Sequence, residues 1–326
     1  MTTQTHTILA EDFPAFETTG PDARWQHVAV GPFVADDGAA TVSGAGLRVT
    51  SAGVNPATGE PAFTKTVPPE DRNGGLPGFV DHLKWFAMST AQASSGFAGF
   101  DAVPGHELRF RATMSARTFG VANHPFGAGV ADPAADLRLA AASMNAVDQE
   151  TATVFDFFVT GITVYAFYER LPTKRAELGN YAAFSCAIPV ATRSPGDWNE
   201  LAIGYDRRAG TAVWSVDGRE VYRIDRIGFL PPDTEHIVLD HGGEEQLVEL
   251  RQLNCGMGLV SLLDARLPGL PALVRLSHAE GFYRVPGSAA PQEFLDDTSA
   301  DGHRLFGQGA ELGIAGYTVT SAPVEG

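Results

Sequence analysis

The sequence predicts an all-β chain, an antiparallel β-sandwich with long loops over a concave face, and three observations carry that prediction. Segments that alternate apolar and polar residues recur between turn signals, as strands with one buried face do. The 36 glycines and 21 prolines supply many turns. The 20 phenylalanines suit strand packing better than a helical bundle. No long stripe of helical period with caps appears.

In chain order the alternating segments are Ala40–Val49, Glu107–Ser115, Leu137–Met144, Thr153–Thr160, Thr163–Arg170, Glu200–Asp206, Ala212–Val216, Arg219–Ile224, Gly258–Leu263 and Glu311–Thr320. Within VWSVDGREVY, Asp217-Gly218 supplies the positive-φ pair that closes a two-residue hairpin. Leu76–Met88 is compatible with either a short helix or an extended segment. The Pro- and Gly-rich stretches Val54–Gly78, Gly120–Pro133 and Pro268–Pro291 read as long loops over the sandwich, a length that points to function or mobility. No repeat or shift in composition divides the 326 residues, so one domain is expected.

With 44% hydrophobic and 19% charged residues, the composition is that of a globular protein. A formal charge of −16 argues against nucleic acid or an anionic membrane as partner and serves solubility. The opening MTTQTHTILAEDF has neither a basic region nor an apolar run of signal-peptide length, and no segment is long enough to span a bilayer. Two cysteines, Cys186 and Cys255, make no disulfide framework and are expected as buried thiols, although one bridge is open to them. A cytoplasmic protein is the expectation. There is no G-x-G-x-x-G after a strand, no P-loop, no G-x-S-x-G and no Cys–His protease signature, so no nucleotide or flavin cofactor is expected.

Chemistry concentrates in Thr151–Leu171, TATVFDFFVTGITVYAFYERL, two strands folded on each other. With Thr160-Gly161 as a two-residue turn, Asp156 stands opposite Tyr165 and shares a face with Val154, Phe158, Thr163, Phe167 and Glu169. An odd loop length puts Tyr168 and Arg170 beside Asp156 instead. Either register yields a candidate acid–base site of Asp156, Tyr165, Glu169 and Arg170, with Asp156 as base and Tyr165 or Tyr168 donating a hydrogen bond. The same residues could equally form a buried pair that fixes strand register. His82 and Trp85, in DHLKWF, are further candidates for ligand contact, as are His124 in a Gly-rich loop and His241 in EHIVLDHGG. No metal-ligand spacing such as H-E-x-x-H is present, so His236 and Asp240 are not read as a metal site.

Three features resemble the concanavalin A-like jelly roll of laminarinase-type glycosidases and lectins. They are the opening Glu11–Phe13 with Arg24-Trp25 and DGAATVSGAGLRVTS, the strand pair in GDWNELAIGYDRRAGTAVWSVDGREVYR, and Gly256–Gly258 with a closing strand ELGIAGYTVTS that returns beside the N-terminal one. YERLP and LDHGG further resemble an uncharacterised bacterial family, which implies no activity. The resemblance implies fold and a groove. Such folds often hold a structural calcium through loop oxygens, and this acidic chain could do so too. The glycosidase motif E-x-D-x-x-E is absent, and TVFDFFVT, with one carboxylate, stands in the corresponding region. The expected function is therefore a cofactor-independent acid–base enzyme acting on a small organic molecule in the groove. It would be of isomerase, cyclase, hydrolase or lyase type, in a setting such as bacterial secondary metabolism. The alternatives are a carbohydrate-binding or glycoside-hydrolase-like protein and a non-catalytic binding module.

Overall fold

Two antiparallel sheets face each other in the computed structural model, which describes residues 4–288 and 290–324. The eight-stranded sheet runs Arg219–Ile224, Thr211–Val216, Trp198–Asp206, His106–Phe119, Gly309–Pro323, Gly46–Ser51, Gly38–Ser43. His6–Glu11 pairs with the last part of Gly309–Pro323, the return of the closing strand to the N-terminal one that the sequence suggested. The nine-stranded sheet runs Ile237–Asp240, Phe184–Thr192, Thr163–Arg170, Thr153–Val159, Ala141–Asp148, Gln252–Val260, Leu83–Ser89, Trp25–His27, with Phe100–Asp101 alongside Gln252–Val260. This is a jelly-roll sandwich with loops over its nine-stranded face.

Alternation along the strands sorts side chains into two layers. Phe155, Phe157, Tyr168, Met144, Met257, Leu259 and Trp85 point inward against Phe110, Ile203, Tyr205, Trp214, Leu312 and Tyr317 of the facing sheet. The opposite face of the nine-stranded sheet is buried as well. Phe86, Met88, Phe158, Tyr165 and Phe167 form a second cluster there with Val238, Leu262 and Tyr283 from loops and the edge strand. Burial on both faces explains why VFDFFV reads as a continuous apolar run.

Several expected elements move. Ala40–Val49 is two strands rather than one, because Gly44 and Ala45 turn the chain between Ser43 and Gly46. Leu76–Met88 divides into a single 3-10 turn, Gly78–His82, and the strand Leu83–Ser89. Leu137–Ala140 precedes its strand, and of Gly258–Leu263 only Gly258, Leu259 and Val260 are strand, the end of one that begins at Gln252. The hairpin at Asp217-Gly218 is as expected, with φ of 50° and 76°.

Candidate active site

A cleft of about 260 Å³ opens on the outer face of the nine-stranded sheet. Gly256 and Gly258 carry no side chains on this face, and a Cβ at either would strike the Met88 sulfur or the Phe86 ring. Those two residues therefore lie low over the sheet and leave the space beside them open. Val28, Phe79, Phe86, Met88, Phe158 and Phe167 are among its walls, and Asp156, Glu169 and His82 are its ionisable groups. Phe158 and Phe167 stack with centroids 4.2 Å apart across the hairpin, an interaction of about 1 kcal/mol beyond area burial.

The hairpin sets the carboxyl groups. Val159 pairs with Val164 and Asp156 with Phe167, so the loop is Thr160–Thr163 rather than two residues. The Thr160 amide donates to the Thr163 carbonyl at 2.9 Å, and the Thr163 amide to Thr160 Oγ1 at 3.1 Å. The register is shifted by two from the two-residue turn, which preserves parity, and Asp156 and Glu169 share the outer face. Glu169 lies diagonally from Asp156, a Cα separation of about 7–8 Å. Asn145 stands directly across from Asp156 on the other side.

Burial pushes the Glu169 carboxyl up to about 7, although Ser185 Oγ donates to Oε1 at 2.9 Å and favours the charged form. Burial, with the charge of Glu169 adding to it, holds Asp156 well above the usual carboxylate range. Asn145 opposes that shift without completing a hydrogen bond, for its Nδ2 and Asp156 Oδ1 are both left without a partner among the described residues. His82, at the end of the 3-10 turn, places Nε2 2.6 Å from Asp264 Oδ1. Tyr283 Oη donates to Asp264 Oδ2 at 2.6 Å, and Gln292 Nε2 to the Asp264 carbonyl at 2.8 Å. Burial alone would lower the His82 pKa, but the Asp264 charge and hydrogen bond outweigh it and raise it. Burial would likewise raise Asp264, and the His82 cation outweighs it and lowers it. The cleft thus gathers an imidazole whose charged form is favoured by its carboxylate partner, a carboxyl whose protonated form is favoured by burial, and a second carboxyl, Glu169, pushed up to about 7.

The remaining candidates lie elsewhere. Tyr165 shares the outer face, but its hydroxyl donates to the Ala135 carbonyl at 3.0 Å and leaves the cleft. Tyr168 points between the sheets and accepts from the Gly228 amide at 2.6 Å. Arg170 alternates to that inner face too, where its guanidinium lies 3.9 Å from the Tyr181 ring centroid. Trp85 is 1% exposed in the inter-sheet core, because the strand from Leu83 turns it inward and Phe86 outward. His124 caps its own loop, accepting from the Phe126 amide at 3.2 Å and stacking on that ring. His241 is a buttress: burial drops its pKa to about 4, and Nδ1 donates to the Phe282 carbonyl at 2.5 Å. Phe282 in turn stacks on Phe79 of the cleft wall at 5.8 Å.

The sequence reading did not single out Asp264, Tyr283, Asn145 or Ser185. Asn145 had a local signal, a lone amide inside the apolar AASMNAV. Asp264 and Tyr283 reach His82 from distant loops, which no spacing announces. A depression of about 540 Å³ beside Tyr222, Phe229 and Asp233 is larger than the cleft, but its acidic lining includes Asp233, which is 63% exposed, and it gathers no buried carboxyl pair. Asp233, Glu235 and His236 bring potential ligand atoms within 4.8 Å of one another on that surface, as exposed acidic groups often do without an ion. Both cysteines are buried free thiols.

A family model described as a family of unknown function, DUF6081, matches residues 10–323. The chain belongs to that family. A curated relative, the uncharacterized protein L829 of Acanthamoeba polyphaga mimivirus, is 35% identical over 41% of this chain, which spans only 43% of that relative's length. Being viral, it gives no support to a bacterial restriction of the family. Among solved structures, the apo Crh5 transglycosylase is 12% identical with a TM-score of 0.40, covering 97% of this chain and 83% of its own. The endo-1,3-beta-glucanase of Streptomyces sioyaensis has the same identity of 12% and TM-score of 0.40 over 97% and 96% of the two chains. The kappa-carrageenase of Pseudoalteromonas carrageenovora, solved with an oligotetrasaccharide, is 11% identical with a TM-score of 0.38 over 98% and 96%. Likeness at that level carries no argument about what this chain binds or converts.

Proposed function

We propose that the cleft is the active site of an acid–base enzyme acting on a small organic molecule. Glu169 and Asp156 exchange protons with the ligand, and His82, positioned by Asp264 and Tyr283, supplies a cation beside them. The observation that supports this reading is the pair of carboxyl groups on one buried face, each driven above its ordinary pKa. Two titratable groups set apart in this way divide the work of acid and base. Burial favours the protonated form of Asp156, which then has a proton to give, and Glu169 near 7 can take one. In this reading the base is Glu169 rather than the expected Asp156, and neither Tyr165 nor Tyr168 donates to the ligand. The test is to incubate the protein with small-molecule extract fractions and follow consumption of a component by mass spectrometry. Consumption should fall by about 100-fold or more in Glu169→Gln. Equal consumption by wild type, Glu169→Gln and Asp156→Asn would remove the assignment.

The same carboxyl pair favours a second reading, a carbohydrate ligand, because two facing carboxyl groups are also the apparatus of glycoside cleavage. Against it stand the missing E-x-D-x-x-E and walls without tryptophan or exposed amide groups. Stabilisation by oligosaccharides in a thermal-shift assay, lost in Phe158→Ala, would establish the second reading in place of the first.

A further inference from the structure

We infer that the cleft takes a neutral, largely hydrocarbon ligand bearing one carbonyl group and that it enolises that ligand. The inference rests on the acid–base reading above and adds the class of substrate. The first observation is the wall. Val28, Phe79, Phe86, Met88, Phe158 and Phe167 surround the three ionisable groups, and among the described residues no lysine, arginine or tryptophan lines the space. A phosphate or carboxylate would find one cation there, His82, already bound to Asp264 at 2.6 Å. A sugar would press its many hydroxyls against side chains that cannot answer them, at a cost for each. A volume of about 260 Å³ suits a skeleton of one or two fused rings, not a polymer.

The second observation is a pair of unfilled polar ends. Asp156 is 3% exposed and Asn145 is 0% exposed, and they stand opposite each other on adjacent strands. Asn145 Oδ1 accepts from Ser143 Oγ at 3.0 Å, which turns the amide and leaves Nδ2 as its free end. Asp156 Oδ1 is free beside it. In its protonated form, which burial favours, Asp156 offers an O–H next to the Asn145 N–H. Asp156 lines the apolar cleft and Asn145 stands beside it on the adjacent strand, and two adjacent donors fit a single oxygen that accepts twice, as a carbonyl oxygen does. Glu169, one strand over, supplies the base.

The step balances without a further reactant. The Glu169 carboxylate takes the proton from the carbon next to the carbonyl. The C–H electron pair becomes the new carbon–carbon π bond, and the carbonyl π pair moves onto oxygen, where Asp156 and Asn145 hold the developing charge. Glu169 returns the proton to the same carbon, which exchanges it with solvent, or to the far carbon of a β,γ-unsaturated ketone, which moves the double bond.

The experiment uses the whole protein in deuterated buffer with α-tetralone, followed by NMR, and with α-naphthol, a planar mimic of the enol, followed by fluorescence. The expected result is deuteration beside the carbonyl on the order of 100-fold faster than in buffer. In Glu169→Gln exchange returns to the buffer rate while α-naphthol still binds, which also shows that the variant is folded. Asp156→Asn, which keeps a donor, still binds α-naphthol, and Asp156→Leu does not. Exchange that survives in Glu169→Gln, or wild type that neither exchanges α-tetralone nor binds α-naphthol, overturns the inference. Glu169-dependent turnover of an extract component without α-tetralone exchange would end the carbonyl assignment and leave the acid–base reading standing.

Discussion

Glu169 carries a proton in the folded protein over a pH range in which an unfolded chain has released it. Its carboxyl moves from an ordinary 4.5 to about 7, chiefly through burial. The folded state therefore gains from this group below about pH 4.5 and loses that gain as pH rises through about 7, a difference of about 3 kcal/mol. The proposed proton abstraction needs the opposite form, since only the carboxylate takes a proton. On that proposal the site is least stabilised where it would be most active. Glu169→Gln removes the titration, and its melting temperature should overtake that of the wild type between about pH 5 and 8. A difference between the two that stays constant over that range would show that the carboxyl is not raised in the fold. Asp156 and Glu169 interact, so the variant also eases deprotonation of Asp156, and the crossover reports the pair rather than one residue. At this scale the sequence was legible where chemistry is local. A carboxylate among phenylalanines on a strand announces burial, and Asp156 and Glu169 are found in the cleft. Trp85 was misleading because its neighbours His82 and Lys84 look like a polar surface. In the fold Lys84 is itself buried, its Nζ 2.9 Å from Asp81 Oδ1, and its strand turns the indole inward.

Strands and turns were legible in proportion to how much of their pattern is contained in the element. Thr163–Arg170 and Arg219–Ile224 match their expected bounds because alternation and turn residues mark both ends. The strand Phe184–Thr192 escaped notice, interrupted as it is by Pro189. The Asp156 hairpin shows what parity protects. Its loop has four residues instead of two, yet an even difference keeps every side chain on its expected face. Turn glycines divide into two kinds, and their variants should differ measurably. Gly218 has φ of 76° with open space around it, so Gly218→Ala should cost about 1 kcal/mol through backbone strain alone. Gly46 has φ of 98°, and a Cβ there would overlap the Ile314 carbonyl of the neighbouring strand. Gly46→Ala should cost at least about 2 kcal/mol in urea unfolding, since the strand pair must part. Equal losses at the two sites would mean that the Gly46–Ile314 contact relaxes freely.

Across the whole molecule, the site depends on both layers of the nine-stranded sheet. The inter-sheet core fixes the strands from one side, and the loops carrying His82, Asp264 and Tyr283 close on the other. That second layer was the least legible part, because its contacts join residues about 200 positions apart, such as His82 and Asp264 at |i−j| of 182. One cooperative unit is the proposal that follows from this arrangement, and the two thiols give a way to measure it. Cys186 lies on the strand next to the edge and Cys255 on the far side of the Asp156 hairpin, both 0% exposed and both pushed to about 12 by burial. A thiol buried and protonated in this way does not react. Labelling with a thiol reagent along a urea series should leave both unmodified through the native baseline. The two should then become reactive together at the midpoint seen by circular dichroism. Early labelling of Cys186 alone would divide the sandwich into a labile edge and a stable centre. Glu169, whose strand pairs directly with that of Cys186, would then sit on the boundary between them.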